Sequence, residues 1–99
     1  MSNMYIAEYA ELATDANGFT IQAGKEPALA HQKVAFTATA GASAAFNNLT
    51  KFVRIYCDAA GYLKFGTAPT AVTATDMPVS ASTAEFFGVI GGQKVSAVS

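Results

Sequence analysis

The stretch Lys51-Phe52-Val53-Arg54-Ile55-Tyr56-Cys57-Asp58-Ala59-Ala60-Gly61-Tyr62-Leu63-Lys64-Phe65 carries the strongest pattern in the chain. Val53, Ile55 and Cys57 share one parity, and Phe52, Arg54 and Tyr56 share the other. In an extended backbone the two sets point to opposite faces. Ala59-Ala60-Gly61 is turn-like, and Leu63 and Phe65 then alternate with Lys64. The pattern predicts two strands joined as a β-hairpin over 51–65, with Val53, Ile55, Leu63 and Phe65 facing inward. Cys57 falls on the same face, as a buried free thiol.

The same period extends on both sides. Val34, Phe36 and Ala38 alternate with Ala35, Thr37 and Thr39, Gly41 breaks the run, and Ser43 to Phe46 can return as a further strand. Glu85–Ile90 and Gln93–Val98 read as strands, and Gly91-Gly92 between them is a hairpin signal. Thr67 to Met77 is poor in bulky apolar residues and reads as a long connection or an irregular edge strand. Pro78 suits an edge strand, because proline cannot donate to a ladder. Towards the N-terminus, Asp15-Ala16-Asn17-Gly18 is a turn and Phe19-Thr20-Ile21-Gln22 a short strand. The expectation is an all-β fold: a single β-sandwich or jelly-roll-like domain of six to eight short strands.

Charge divides the chain. Residues 1–24 hold Glu8, Glu11 and Asp15 and no basic residue, while the rest holds four acids and six bases. With Gly18, Gly24 and Pro27, this predicts an extended acidic arm over residues 1–25 and a β-sandwich body over 26–99. Only 13% of the 99 residues are charged and 52% are hydrophobic, against a usual charged share of about 25%. Such a chain is not disordered. Much of its surface must be Ala, Thr, Ser and Gly, a weakly hydrated face suited to packing on other protein. A formal net charge of −1 and the lack of a basic stripe argue against nucleic acid as a partner. No run approaches the roughly 20 apolar residues of a membrane helix. The start, Met1-Ser2-Asn3-Met4-Tyr5, lacks the features of a secretory leader, so cytoplasmic synthesis is expected.

Catalytic chemistry finds little to build on. His31 is the only histidine and Cys57 the only cysteine, too few for a zinc site within one chain. His31 falls in a loop-like segment, Glu26 to His31. There is no Gly-x-Ser-x-Gly elbow and no phosphate loop, since Gly91-Gly92-Gln93-Lys94-Val95 lacks the spacing and the Ser or Thr. Asp58, Asp76 and Glu85 read as solvated carboxylates of turns and strand ends. Phe52, Tyr56 and Tyr62 beside Arg54 and Lys64 could form a stacking platform for bases or sugars. The simpler reading is that these aromatics cover a sheet face or meet a neighbouring subunit. No catalytic residue, metal or cofactor is expected.

Three stretches together resemble a known group. They are Glu26-Pro27-Ala28-Leu29-Ala30; Phe52 to Asp58 running through Phe65-Gly66-Thr67-Ala68-Pro69-Thr70-Ala71; and Glu85-Phe86-Phe87-Gly88-Val89 through Lys94-Val95-Ser96-Ala97-Val98. In strand pattern and loop words, residues 26–98 resemble the small capsid cement (decoration) proteins of tailed bacteriophages, which have β-sandwich or jelly-roll bodies. The resemblance implies a non-enzymatic virion protein, made in the host cytoplasm and placed on the outer capsid surface. It would bind the major capsid protein and itself, as a dimer or trimer, and neither nucleic acid nor membrane. The resemblance contains no site motif. On this reading Tyr5, Ile6, Tyr9 and Leu12 serve as apolar anchors of the arm, and Phe52, Arg54 and Tyr56 form the face buried between subunits. A tail or head-to-tail connector component, and a small β module binding carbohydrate or single-stranded nucleic acid, are the alternatives.

Overall fold

Two parity classes along each strand demand two environments, and a pair of stacked sheets supplies them. The computed structural model describes residues 2–73 and 76–99, so Met1 and two residues of the Thr67–Met77 connection lie outside the described residues. The chain forms β1 (Ser2–Tyr9), β2 (Leu12–Thr14), β3 (Thr20–Gly24), β4 (Ala30–Phe36), β5 (Gly41–Ala42), β6 (Phe52–Cys57), β7 (Gly61–Gly66), β8 (Met77–Val79), β9 (Thr83–Gly88) and β10 (Lys94–Val98). One four-stranded sheet has the order β4-β1-β6-β9 and the other β5-β10-β7-β8; β2 and β3 pair only with each other. Every pairing is antiparallel.

The core lies between the two sheets. Met4 and Ile6 of β1, Val34 and Phe36 of β4, and Val53, Ile55 and Cys57 of β6 meet Leu63 of β7 and Val95 and Ala97 of β10. Phe36 and Leu63 are each only 2% exposed; burying a side chain of this size contributes about 1.5–3 kcal/mol. Phe65 and Phe87 close one flank across the sheets, with ring centroids 5.2 Å apart. Phe46 reaches the core from a segment that runs beside β10 without strand geometry. Ser43 N donates to Val95 O and Phe46 N to Gln93 O, each at 2.8 Å. The expected return strand over Ser43 to Phe46 is therefore reduced to Gly41–Ala42, followed by this irregular run.

The connectivity is that of a jelly roll. The pairs β7·β8, β6·β9 and β5·β10 nest one inside the next, so the chain from Gly41 to Val98 behaves as one long hairpin rolled across both sheets. The next nested partner of β4 would ordinarily follow β10. Here β1, from the opposite end of the chain, takes that place. The two ends of the chain accordingly meet: Ser2 pairs with Phe36, and Ser99 N donates to Thr37 O at 2.9 Å.

Four expectations are corrected by this topology. Residues 1–25 are not an arm set apart from a body, because β1 lies inside a sheet with β4 on one side and β6 on the other. Among the described strands, only β2 and β3 lie outside the two four-stranded sheets. The strands over 51–65 do not form a hairpin: β6 and β7 belong to different sheets, and Asp58 to Ala60 arch between them. The same holds for β9 and β10 around Gly91-Gly92. There Gly92 has φ +87°, and a Cβ on Gly91 would sit 2.6 Å from the Asn48 carbonyl oxygen. The glycines serve a close approach and a left-handed residue rather than a two-residue hairpin. Finally, His31 lies within β4 and not in a loop. Pro78 does occupy an edge strand, β8.

Candidate functional site

The register of the β4-β1-β6-β9 sheet fixes what its outer face carries. Tyr5 is opposite Tyr56 and Lys33, Ala7 opposite Arg54 and His31, Tyr9 opposite Phe52, and Arg54 opposite Phe86. The result is a face of aromatic rings with Arg54 in its middle. Tyr5 and Tyr56 have centroids 6.2 Å apart, Tyr9 stacks on Phe52 at 5.3 Å, and Phe52 meets Phe86 at 6.1 Å. Lys33 Nζ stands 5.7 Å from the centre of the Tyr5 ring, close enough for a cation–π contact. Tyr5 is 41% and Phe86 53% exposed. Arg54 forms no ion pair among the described residues.

Above Ala7, whose methyl leaves room, lies a depression of about 250 Å³ bordered by Tyr5, Tyr9, His31, Arg54 and Glu26. Tyr9 forms its floor and is almost fully covered. Its hydroxyl donates to Glu26 Oε2 at 2.6 Å, and Glu26 Oε1 accepts from Ala28 N at 3.0 Å. The bond to the Glu26 carboxylate, with burial second, holds the Tyr9 phenol above its ordinary pKa.

The β2–β3 hairpin stands beside this face. Asp15 Oδ1 accepts from Asn17 N at 2.9 Å and Phe19 N at 3.0 Å, which closes the turn, and Gly18 takes φ +83°. Gly24 at the base passes over Tyr9 so closely that a Cβ would lie 2.6 Å from the ring. Between the hairpin and the sheet runs an open, mainly apolar groove of about 530 Å³, bordered by Leu12, Gln22, Ala23, Phe52, Phe86 and Gly88.

Of the residues singled out from the sequence, Tyr5, Phe52, Arg54 and Tyr56 come together on this face, with Leu12 at its border. Ile6 does not: it is 2% exposed and faces the core, because its parity is that of Met4. Tyr9 is 5% exposed and already engaged. Phe86, Phe19 and Lys33 were not singled out, although the alternation of Phe86 with Phe87 already placed one of that pair outward. Glu8 was read as part of an acidic arm. It is buried in line with Met4 and Ile6, where its Oε1 accepts from Asn47 N and Thr50 Oγ1 and its Oε2 from Gln32 Nε2. The rest of the acidic charge is also spent locally. Glu11 pairs with Lys25 at 3.0 Å, and Asp15 closes its own turn.

Cys57 is buried, and that burial, followed by the Asp58 and Glu85 carboxylates, pushes its thiol up to about 11. It is thus a poor nucleophile near neutral pH. Among the described residues, no three His, Cys, Asp or Glu side chains converge as a metal site would require. Among the described residues, no helix is long and apolar enough to cross a membrane. Compared with known proteins, the chain matches no family model, no curated protein and no solved structure.

Proposed function

We propose that this protein is a non-enzymatic virion structural protein, a capsid cement (decoration) protein that binds major capsid protein subunits on the outer surface of a phage shell and stabilises them. The observation that carries the reading is the uncovered aromatic face around Arg54 on a domain with so few charges. Tyr5, Tyr56 and Lys33 form a contact surface, with amphipathic rings and a cation available to a protein partner. The edge of β9, which pairs with no further strand among the described residues, adds a ladder on which a capsid segment can pair. Many weak copies on a lattice bind with high avidity even when each contact is modest. The resemblance over residues 26–98 and the jelly-roll connectivity support the same reading.

Deleting residues 1–24 is not a usable test, since it removes β1 from the middle of a sheet. The test is co-sedimentation of the full chain with purified capsids, together with the Tyr5→Ala/Tyr56→Ala variant. Saturable binding in lattice-like ratio to the major capsid protein, weakened about tenfold or more by the double substitution, is the expected result. A ratio fitting a single ring would point to a connector instead. A β module that stacks bases or sugars also displays rings beside an arginine. Specific binding of single-stranded DNA or a glycan, lost on removing Tyr56, together with no capsid binding, would replace the decoration reading.

A further inference from the structure

We propose that the β2–β3 hairpin is a plug for a second copy of this chain: Phe19 at the tip of one copy seats in the groove at the hairpin base of the other. The two copies form a two-fold pair that makes the contact twice.

The hairpin is what requires a partner. It has two short strands and no core of its own, a construction that is marginal in water without something packed against it. Yet it exposes Leu12 (40%), Ile21 (42%) and, at its tip, Phe19 (70%). The Asp15 turn holds Phe19 in place through the bond to its backbone nitrogen, so the ring is presented on an ordered support. Such pre-organisation lowers the cost of docking.

The groove is what receives it. It is open and mainly apolar, and its walls include Leu12 and the rings of Phe52 and Phe86, whose edges and faces can meet an incoming phenyl group. A copy cannot fill its own groove with its own tip. Leu12 and Gln22 are at the groove, whereas Phe19 lies across from Asp15, three residues further along each strand and roughly 10 Å away at the rise of a strand. That separation suits a second copy laid antiparallel alongside. Each tip then reaches the other's base, and a single contact is satisfied twice by symmetry.

Charge agrees with the pairing. Asp15 sits beside Phe19 at the tip, and Arg54, the cross-strand neighbour of the groove residue Phe86, borders the adjoining depression and has no ion-pair partner among the described residues. Seating Phe19 brings the Asp15 carboxylate towards the Arg54 guanidinium. The inference does not depend on capsid decoration. A protein that is monomeric in solution but still coats capsids would remove this proposal alone.

The test is sedimentation equilibrium of the full chain and two variants. Phe19→Ser removes the plug at a largely exposed position. Gly88→Leu fills the groove from a position where an added Cβ meets nothing within 4 Å. The wild type is expected to be a dimer. Each variant should associate at least about 100-fold more weakly, since two buried rings are lost per pair, with unchanged circular dichroism. An equimolar mixture of the two variants should associate about tenfold more tightly than either alone, because the intact tip of one meets the intact groove of the other at one of the two contacts. A wild type that stays monomeric up to millimolar concentration overturns the proposal. So do dimers that neither substitution weakens, or a mixture that gains nothing over its components.

Discussion

Glu8 is the most exacting place to perturb this fold, and Glu8→Ala is the substitution to make. One carboxylate, 1% exposed, accepts from Asn47 N at 2.8 Å, Thr50 Oγ1 at 2.9 Å and Gln32 Nε2 at 2.9 Å. Gln32 Oε1 in turn accepts from Ala44 N at 2.9 Å. The group thereby ties β1 and β4 to the loop that carries Phe46 into the core. Hydrogen bonds to a charged group contribute about 1.5–3 kcal/mol each. Water entering the vacated space offsets part of the loss of three, so a net destabilisation of about 3–5 kcal/mol is expected. Against a total of about 5–15 kcal/mol for a domain, that is a large fraction. It corresponds to a fall in Tm of about 15–30 °C in a chain of this length. Glu8→Gln keeps the size and one acceptor but sets its amide against the Gln32 amide, and should cost about 1–2 kcal/mol. Urea unfolding followed by tyrosine fluorescence reads both, as the chain has four tyrosines and no tryptophan. If Glu8→Ala unfolds within about 1 kcal/mol of wild type, the carboxylate does not hold the loop and the reasoning fails.

Cys57 should ignore thiol reagents in the native protein at pH 8 and react on unfolding. Its thiol lies at about 11 in the fold against 9.0 when free, so only the unfolded state ionises between these values. Stability should therefore be unaffected below pH 9 and fall by on the order of 2–3 kcal/mol towards pH 11; a Cys57→Ala protein showing the same alkaline slope would assign it elsewhere. Gly91→Ala should lower stability by about 1–3 kcal/mol, because its methyl would press on the Asn48 carbonyl carbon at 2.8 Å. Gly88→Ala, in open space, should stay within about 0.5 kcal/mol, and equal urea midpoints for the two would refute the close approach. A permuted chain opened between Asn17 and Gly18, with Ser99 linked to Met1, moves β1 behind β10 and restores ordinary jelly-roll order. It should fold with the same circular dichroism, and an unfolded product would contradict the nested pairing.

Side-chain parity was readable from residues alone. Val53, Ile55, Cys57 and Leu63 are all buried, Arg54 and Lys64 all exposed, as their alternation requires. Parity also marked Phe52, Arg54 and Tyr56 as a shared outward face. Glu8 has the parity of Met4 and Ile6, but sequence charge assigns it to an acidic arm, and an inward placement conflicts with the cost of burying a charge. Only the donors brought by Asn47, Thr50 and Gln32 resolve the conflict, and they come from 24 to 42 residues away. The groove was not readable either, since its walls come from β2–β3, β6 and β9.

What the chain's order of residues determines by itself is thus the set of strands and the face each side chain takes, because alternation is a local property of extended backbone with period two. It also determines the tight turn of Asp15 to Gly18, whose bonds are made within five residues. Partnership was decided by the tertiary structure. A hairpin and an arch between two sheets leave the same turn residues and the same alternation on either side. They differ only in which distant strand completes each ladder. The placing of β1 beside β4 and β6, and with it the aromatic face, follows from satisfying every inner strand's hydrogen bonds and both sheets' apolar faces at once. No short window of residues contains that condition.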